Sequence, residues 1–499
     1  MNGLESIFWQ LRDKKYKGIN DTYALFQHFY ISDGEKIKKW QGNGFYVKGK
    51  WRESLKYYMK ALCVAENQTE AFATALANRS AALYSLGKYE HSLSDIEKCL
   101  LCGYPEKLKF KVYLRKINCY DRIGNAEKAE VTIKETEAFI NQNNDYTTEE
   151  KESYINKLRN IQRLSSVNLV KNVNNNYKIP NVTRNINFPG ATSLIQLSSN
   201  SEKGRYVLAE KDVKRGDILF VEKAYAFAPI FDDNLNLPHD RCYYCLIQNI
   251  ALIPCLHCSS TLYCNESCRS KSWDETHQWE CTGFTVNLWG TIGLAFPAYR
   301  LCLKNILNCY RLEAENYNLA QKLLTNIAKN ENVLEFLVLT MVLVCYFESQ
   351  TDFFKWLCDK ITLEEKKELN IYFGSCLLEN VAQIACNASI IEHWNCSDFN
   401  DYNSIIPEEK VPIATGLYPA VSMMNHSCKP NVAMYFINDV IIVKAVADIK
   451  QGKEVYNCYG IDYRYTRKQE RQSLLYMQYH FKCLCEICEN PLLEIVSYK

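Results

Sequence analysis

Cysteine and histidine residues are concentrated in one stretch of the chain, at short and regular intervals. Eight of the nine that lie between residues 242 and 281 form four closely spaced pairs: Cys242 and Cys245, Cys255 and Cys258, Cys264 and Cys268, and His277 and Cys281. Eight soft or borderline ligands are the number that two closed tetrahedral zinc sites require. A segment this short has few apolar residues for a core, so metal would supply much of its folding free energy. The spacing predicts a zinc-binding domain over 242–281.

The compartment bears on this prediction, because 23 cysteines in 499 residues could instead form disulfide bonds. Met1–Lys15 carries charged residues and a tryptophan where a signal peptide needs an apolar run. We therefore expect a reducing compartment, in which closely spaced cysteines are metal ligands. His257 lies inside the Cys255-x2-Cys258 pair and is expected at the surface or beside a site, since the pair leaves no need for it.

Charge and hydropathy exclude two classes of partner. The 59 basic and 57 acidic residues are interspersed, so we expect no specific nucleic-acid partner. The longest apolar stretch, Val333–Phe347, carries Glu335 and is shorter than a membrane span requires. We predict a buried helix there and no membrane association.

The N-terminal part, predicted as a helical domain over 1–140, shows a weak repeat. Leu55, Tyr58, Met59 and Leu62 follow the spacing of one helix face. Glycine-centred turns recur at positions 49, 87 and 124, close to the ~34-residue period of tetratricopeptide (TPR) repeats. The pattern predicts TPR-like repeats whose concave face could hold a peptide. An irregular helical bundle is the alternative.

The remaining boundaries follow from shifts in composition. We predict a linker over 141–187 with one helix around 149–164, a first β-rich part over 188–241, and a helical insert over 282–386. A second β-rich part follows over 387–465, and a cysteine-bearing segment over 466–499. Within the second part, Asn438-Asp439 between two apolar runs predicts a β-hairpin. The pattern Ala-x-x-Asp-(Val or Ile)-Lys-x-Gly occurs once in each part and predicts two similar corners in one β-fold.

Polar groups interrupt an apolar run in Gly416–Asn431, GLYPAVSMMNHSCKPN, and Tyr459 follows about thirty residues later. This run, the finger between two β-rich parts and the terminal Cys-x-Cys-x2-Cys resemble the SET and MYND domain family of lysine methyltransferases. The preceding repeats point to its member 4 branch. The resemblance implies an α+β multidomain fold: N-terminal α-helical TPR-like repeats, a β-rich SET domain split by a zinc-binding MYND finger and a helical insert, and a post-SET zinc segment.

The resemblance also implies an activity: transfer of a methyl group from S-adenosylmethionine to the lysine amine of a protein substrate. Tyr459 would be the catalytic residue and would orient the amine and the methyl group. A deprotonated tyrosine acting as a base is disfavoured by an ordinary pKa of about 10. The residues implied in cofactor binding are Lys203, Gly204, Arg205, Asn387, Asn425, His426, Tyr459, Tyr479 and Phe481. Tyr206 departs from the family, many members of which have a second glycine there.

Three zinc sites are implied in the same way. In the finger, one would be held by Cys242, Cys245, Cys264 and Cys268, and a second by Cys255, Cys258, His277 and Cys281. The third would be held by Cys428, Cys483, Cys485 and Cys488 and would pin the post-SET segment over the cofactor. The implied partners are a protein with a target lysine, a proline-containing peptide at the finger and a peptide on the repeats. The implied location is the cytoplasm and nucleus.

A second function stays open at this point. The repeats and the finger could recruit partners while an inactive SET fold holds them in place, which would make the protein an adaptor. Intact Asn425, His426 and Tyr459 favour the enzyme, because a scaffold has no physical need for all three.

Overall fold

The computed structural model describes residues 41–164, 179–201, 203–231, 240–258, 260–311, 320, 323–329, 332–360, 368–394 and 410–490. Within them the chain forms two compact units. The helical unit is drawn from Lys14–Asn176 and His239–Lys271, and the β-rich unit from Tyr177–Pro238 and Ser272–Lys499. The mixed α+β class is as predicted. The boundary between the units falls inside the predicted 242–281 finger.

Helices connected by short turns make up most of the helical unit. Their bounds are α1 (Trp51–Val64), α2 (Glu70–Ser85), α3 (Tyr89–Leu101), α4 (Lys109–Ile123), α5 (Ala126–Gln142) and α6 (Thr148–Leu164), and residues 41–47 are helical as well. Gly49, Gly87 and Gly124 each turn the chain within one helix pair, with φ of 70°, 71° and 82°. L-residues with a side chain rarely adopt this conformation, which explains the recurrence of glycine along the sequence.

The helix α6 lies within the segment predicted to be a linker, and it packs as part of the helical unit. Its Leu158 is wholly buried in a cluster with Phe110, Ile117, Ile133 and Ile140. The predicted helix is therefore present, with bounds close to those expected.

The cysteine-rich residues 240–271 complete the helical unit. Their elements are β5 (Ile253–Pro254), β6 (Leu262–Tyr263) and α7 (Glu266–Ser272), and β5 pairs with β6 in an antiparallel ribbon. Ala251 packs in one cluster with Leu55, Tyr58 and Leu83 of the helices. A fully buried ion pair joins Arg79 to Asp95 through two 2.7 Å hydrogen bonds.

Arg79 also connects the helices to the cysteine-rich residues. Its Nη1 donates to the Leu252 carbonyl over 2.6 Å. One buried guanidinium thus holds α2, α3 and the residues before β5 together.

The β-rich unit carries most of the strands. These are β1 (Ile195–Asn200), β2 (Gly204–Ala209), β3 (Ile218–Lys223), β4 (Ala226–Pro229), β7 (Ala388–Trp394), β8 (Lys410–Leu417), β9 (Asn425–His426), β10 (Val432–Ile437), β11 (Val440–Ala445) and β12 (Glu454–Asn457). They form three sheets with the orders β1-β2-β12-β9, β10-β11-β3 and β4-β8-β7. Four of the seven pairings in these sheets join strands that are not consecutive in the chain, so residues distant in sequence meet.

Helices of the β-rich unit surround these sheets. Their bounds are α8 (Gln278–Glu280), α9 (Leu288–Thr291), α10 (Ala295–Arg311), α11 (Val333–Gln350), α12 (Phe353–Lys360), α13 (Leu369–Asn387), α14 (Lys468–Tyr479) and α15 (Glu486–Glu489). A five-residue π-helical turn, Trp273–His277, precedes α8.

Two sequence predictions about the β-fold are confirmed. Strands β10 and β11 form an antiparallel hairpin in which Ile437 pairs with Val440. The two corners with the repeated Ala-x-x-Asp pattern pack against each other with matching contacts. The Asp212 carboxylate accepts the Gln451 N–H, and the Asp448 carboxylate accepts the Arg215 N–H, each over 2.9 Å.

The apolar helix α11 differs from the prediction of a buried helix. It spans 18 residues and, by length and composition alone, could cross a membrane, although 39% of it is buried inside the protein. Phe336, Leu343 and Phe347 lie on its buried face, whereas Leu334 is 77% and Met341 55% exposed. Helices α10 and α13 contact one side of it, which leaves the other side exposed.

Loss of one partner of the Arg79–Asp95 pair should destabilise the helical unit. The Asp95→Asn variant leaves a buried guanidinium without its anion, which costs about 3–5 kcal/mol. We expect the urea midpoint, followed by helical circular dichroism, to fall accordingly. The control is Glu130→Gln, which removes an ion pair to Lys134 whose side chains are 64% and 70% exposed and should leave the midpoint unchanged. Equal midpoints for the two variants would contradict the role of the buried pair.

Candidate active site

Two segments about thirty residues apart in sequence meet in a parallel pair. Tyr456 of β12 pairs with Asn425 of β9, and Asn457 pairs with His426. The Ser427 N–H donates to the Asn457 carbonyl over 2.8 Å and extends the pairing. The predicted cofactor residues Asn425 and His426 therefore lie beside the strand that leads to Tyr459.

Tyr459 is held at both its backbone and its hydroxyl. Its N–H donates to His426 Nδ1 over 3.1 Å, and its hydroxyl donates to the Met424 carbonyl over 2.9 Å. Burial raises the pKa of the Tyr459 hydroxyl above its ordinary value, and the neighbouring Tyr479 adds to the effect. The hydroxyl is therefore neutral at physiological pH and serves as a hydrogen-bond group, which agrees with the expectation that it is not a base.

His426 connects Tyr459 to a cysteine of the third predicted metal set. Because Nδ1 accepts from the Tyr459 N–H, the proton of the neutral ring lies on Nε2. That nitrogen is 3.4 Å from Cys428 Sγ. Burial lowers the pKa of His426 to about 4, so the ring is neutral. Both ring nitrogens are engaged within the protein, so a contact of His426 with a cofactor would use its backbone or ring face.

A carboxylate that the sequence analysis did not place in the site joins two of the predicted cofactor residues. Glu454 Oε1 accepts from Asn425 Nδ2 over 3.0 Å. Its Oε2 accepts from Lys203 Nζ and from the Tyr456 hydroxyl, each over 2.8 Å. The Glu454 side chain is only 6% exposed, so this anion organises Lys203 and Asn425 from below the surface. Its position in the sequence, five residues before Tyr459, gives no sign of these partners.

The loop at Lys203 turns through a glycine with positive φ. Gly204 has φ of 67°, and the Lys203 N–H donates to Asn200 Oδ1 over 2.7 Å. Arg205 lies near enough to Tyr459 for the two to interact electrostatically. Tyr206, the departure from the family, lies in β2 with Lys203 Nζ 5.9 Å from its ring centroid.

Aromatic rings line the other side of Tyr459. Its ring centroid lies 4.7 Å from that of Tyr479 and 6.4 Å from that of Phe481. Asn387, at the end of α13, donates its amide to the Leu324 and Gln383 carbonyls, each over 2.8 Å. The structure thus gathers the predicted rings around Tyr459. The binding roles of these residues stay predictions.

Two predicted metal sets are assembled within single units. Their four ligand atoms lie within 4.8 Å of one another in each set: Cys242, Cys245, Cys264 and Cys268 in the helical unit, and Cys428, Cys483, Cys485 and Cys488 in the β-rich unit. Sulfur separations of 3.4–3.9 Å match the edge of a tetrahedron with metal–sulfur bonds of about 2.3 Å, roughly 3.8 Å. They are far too long for disulfide bonds, at about 2.05 Å.

The second set is divided between the units. Cys255 and Cys258 belong to the helical unit, and His277 and Cys281 to the β-rich unit, so this set stays a prediction from the sequence. The side chain of His257 is exposed, and its backbone N–H donates to Cys255 Sγ over 3.3 Å. That position agrees with the expectation that His257 lies beside a site.

A second carboxylate missed by the sequence analysis fixes the start of the run that leads to Asn425. Glu222, on β3, is fully buried and accepts the Ala420 and Val421 N–H groups over 3.0 Å each. These two residues begin the turn whose end, Met424, accepts the Tyr459 hydroxyl. Burial raises the pKa of Glu222 to about 8, and the two N–H groups limit that rise.

The SET domain family model matches residues 204–460, just over half of the chain. This chain belongs to the SET domain family. The matched residues hold the loop at Gly204, the β9–β12 pair and Tyr459, so the match covers most of the candidate site.

Curated relatives are protein-lysine methyltransferases by name. Protein-lysine N-methyltransferase SMYD4 of Mus musculus is 25% identical and is matched over 96% of this SET protein and 70% of the relative. The Homo sapiens SMYD4 is 26% identical over 92% of this chain and 67% of the relative. The chain spans about two thirds of the length of these relatives. The resemblance to the SET and MYND domain family, and to its member 4 branch, is confirmed.

More distant matches include N-lysine methyltransferase SMYD2 of Homo sapiens, 26% identical over 57% of this chain and 58% of the relative. Among solved structures is the "Crystal structure of the SET domain of LSMT bound to Lysine and AdoHcy", 14% identical over 58% of this chain and 53% of that chain. Its TM-score of 0.26 carries no structural argument.

Titration of Glu222 should make the stability of the β-rich unit depend on pH. An acid whose pKa is higher in the folded than in the unfolded chain binds protons more tightly when folded, so stability falls as the pH rises. We expect this loss between about pH 5 and about pH 8, at up to about 1.4 kcal/mol per pH unit. Glu222→Gln should remove this slope in urea unfolding, whatever its effect on the absolute stability.

The control for this measurement is Glu210→Gln, because Glu210 is an exposed carboxylate of the same unit. It should keep the wild-type slope. A wild-type slope in Glu222→Gln as well would show that Glu222 does not titrate in this range.

Proposed function

We propose that this protein is a protein-lysine N-methyltransferase that transfers a methyl group from S-adenosylmethionine to a lysine amine of a protein substrate. The observation that carries the proposal is the convergence of Asn425, His426 and Tyr459 through the β9–β12 pair. The family match and the names of the SMYD4 relatives agree with it. The same groups give an inactive adaptor no support, since holding partners requires none of them.

The residues gathered around Tyr459 fit the predicted cofactor. S-adenosylmethionine would supply an electrophilic methyl group on a sulfonium, together with amino-acid, ribose and adenine parts. The Lys203 ammonium and the Asn425 amide can donate hydrogen bonds to the polar parts of the cofactor. The rings of Phe481 and Tyr479 can lie beside an apolar part of it. Gly204, with its positive φ, lets the backbone of the same loop approach closely.

Tyr459 would act by holding the lysine amine in position for the transfer. Its hydroxyl oxygen and the Met424 carbonyl lie 2.9 Å apart, so two oxygen atoms can accept hydrogen bonds from one amine. Methyl transfer is an in-line displacement, which depends mainly on the alignment of the two reactants. The neutral state of the Tyr459 hydroxyl suits it to this role.

We also propose zinc at all three predicted sets, with closed coordination and structural roles. For the divided set, support comes from within the β-rich unit. Glu280, fully buried and paired with Arg300 at 2.8 Å, lies 3.8 Å from His277 Nδ1. Metal-binding histidines typically have a carboxylate or a similar group beside the ring nitrogen that does not bind the metal.

The finer assignments belong to the same proposal. They are TPR-like repeats in the helical unit, a MYND finger over 242–281, a post-SET segment after residue 466, and a location in the cytoplasm and nucleus. The glycine turns of three helix pairs support the repeats. A proline-containing peptide at the finger and a peptide on the repeats are the proposed partners besides the substrate.

Removal of the Glu454 charge should weaken cofactor binding. Glu454→Gln leaves one oxygen acceptor for three donors, those of Lys203, Asn425 and Tyr456, and takes away the anion that holds Lys203 and Asn425. We expect calorimetric titration of the metal-loaded protein with S-adenosylmethionine to show at least a tenfold loss, about 1.4 kcal/mol. The control is Asp462→Asn, which removes a carboxylate paired with the exposed Arg464. If Glu454→Gln binds as tightly as this control, the carboxylate does not organise the cofactor residues.

Tyr459→Phe should separate binding from transfer. The ring contacts with Tyr479 remain while the hydroxyl is lost, so cofactor affinity should stay near the wild-type value and transfer should fall by about 100-fold. The assay measures transfer of a tritium-labelled methyl group to histones and to proteins of a cell extract. Tyr146→Phe is the control, because it removes a 2.8 Å tyrosine–carbonyl hydrogen bond in the helical unit.

Full transfer by Tyr459→Phe would remove Tyr459 from the reaction. A wild-type protein that is folded and metal-loaded but neither binds S-adenosylmethionine nor transfers methyl groups would favour the adaptor.

A further inference from the structure

A wholly buried arginine lies against the third cysteine set. Arg471, on α14, has no solvent exposure. Its Nη2 donates to Cys488 Sγ over 3.7 Å, and its Nη1 donates to the Thr466 carbonyl over 2.6 Å. No residue prediction from the sequence included Arg471, since it lies twelve residues before the first cysteine of the terminal motif.

The charge of this arginine constrains the state of the cysteines. A buried guanidinium is costly unless an anion compensates it. Four protonated thiols carry no charge and offer little compensation. Four thiolates around one divalent metal ion carry a net charge of −2, because metal binding releases the thiol protons. The Asp462 carboxylate also interacts electrostatically with Arg471, and the direct contact of Arg471 with Cys488 matches a set whose thiolates hold a metal.

The same helix holds the cysteine segment by a second contact. Gln472 Nε2 donates to the Cys483 carbonyl over 2.7 Å, and the Cys483 N–H donates to Gln472 Oε1 over 2.9 Å. Arg471 and Gln472 thus hold the segment at its side chains and at its backbone. Tyr479 and Phe481, the rings beside Tyr459, lie on the chain between these contacts.

We propose that Arg471 is the counter-ion of a divalent metal bound by Cys428, Cys483, Cys485 and Cys488, and that it positions the terminal segment when the metal is bound. The inference rests on the zinc binding proposed above and extends it to the net charge of the site. Cys428 also contacts His426, whose other nitrogen accepts from Tyr459. Two short contacts therefore connect the metal set to the candidate active site: Cys428 with His426, and His426 with Tyr459.

The test measures metal retention in the full-length protein. Zinc-loaded wild type, Arg471→Gln and Arg471→Lys are titrated with a chelator, and released zinc is read with a colorimetric indicator. Arg471→Gln should release zinc at a chelator concentration lower by about 10- to 100-fold, the usual effect of removing a residue that contacts a metal ligand. Arg471→Lys keeps the charge and should release zinc near the wild-type concentration.

Two controls accompany the titration. Arg464→Gln removes the same charge seven residues earlier, from an exposed side chain paired with Asp462, and should not change zinc release. Zinc held by the set in the helical unit should be released alike in every variant, because Arg471 does not belong to that unit.

Wild-type zinc retention in a folded Arg471→Gln variant would overturn the proposal. Should that variant fail to fold, Arg471→Lys decides. If Arg471→Lys retains zinc as the wild type does, the result supports an effect of the positive charge. If Arg471→Lys releases zinc at the low chelator concentration expected for Arg471→Gln, the result contradicts the proposal. The assay contains neither S-adenosylmethionine nor substrate, so its result does not depend on whether the protein transfers methyl groups.

Discussion

The candidate site depends on one short parallel pairing, that of Asn425–His426 with Tyr456–Asn457. It brings the amide of Asn425 to the Glu454 carboxylate and the ring of His426 to the backbone of Tyr459. Since each strand is very short, the pairing cannot be strong by itself. It is maintained by its surroundings, namely the corners that pack together at Asp212 and Asp448 and the turn that Glu222 holds.

Buried ionisable groups near the site share one physical role. Glu222 binds two backbone N–H groups, Glu454 binds an ammonium and an amide, and Arg471 binds a carbonyl and a cysteine sulfur. Burying each group costs free energy that apolar residues would not require. In return, hydrogen bonds fix backbone and side chains in one geometry, which dispersion contacts specify less strictly. A site that must align two reactants benefits from such fixed positions.

Predictions from the sequence were most accurate where a local pattern has one physical explanation. The hairpin at Asn438 and the glycine turns at residues 49, 87 and 124 follow from backbone conformations that few residues adopt. The family resemblance implied the two cysteine sets that assemble within single units. The prediction from local pattern was wrong for the burial of α11. The composition shows that this helix is apolar, but it does not show which of its faces other helices cover.

The sequence by itself determined the α+β class, the family and the ligand types, because these depend on residue identity and short spacings. Only the tertiary structure decided that Glu454, Glu222 and Arg471 serve the site. Each has a partner on another segment: Cys488 lies 17 residues from Arg471, Ala420 lies 198 residues from Glu222, and Lys203 lies 251 residues from Glu454. It also decided the role of His426, because the tautomer of the ring is fixed by the two groups that fold against it. A hydrogen bond between distant segments leaves no periodic trace along the chain, and so it becomes visible only when the chain is folded.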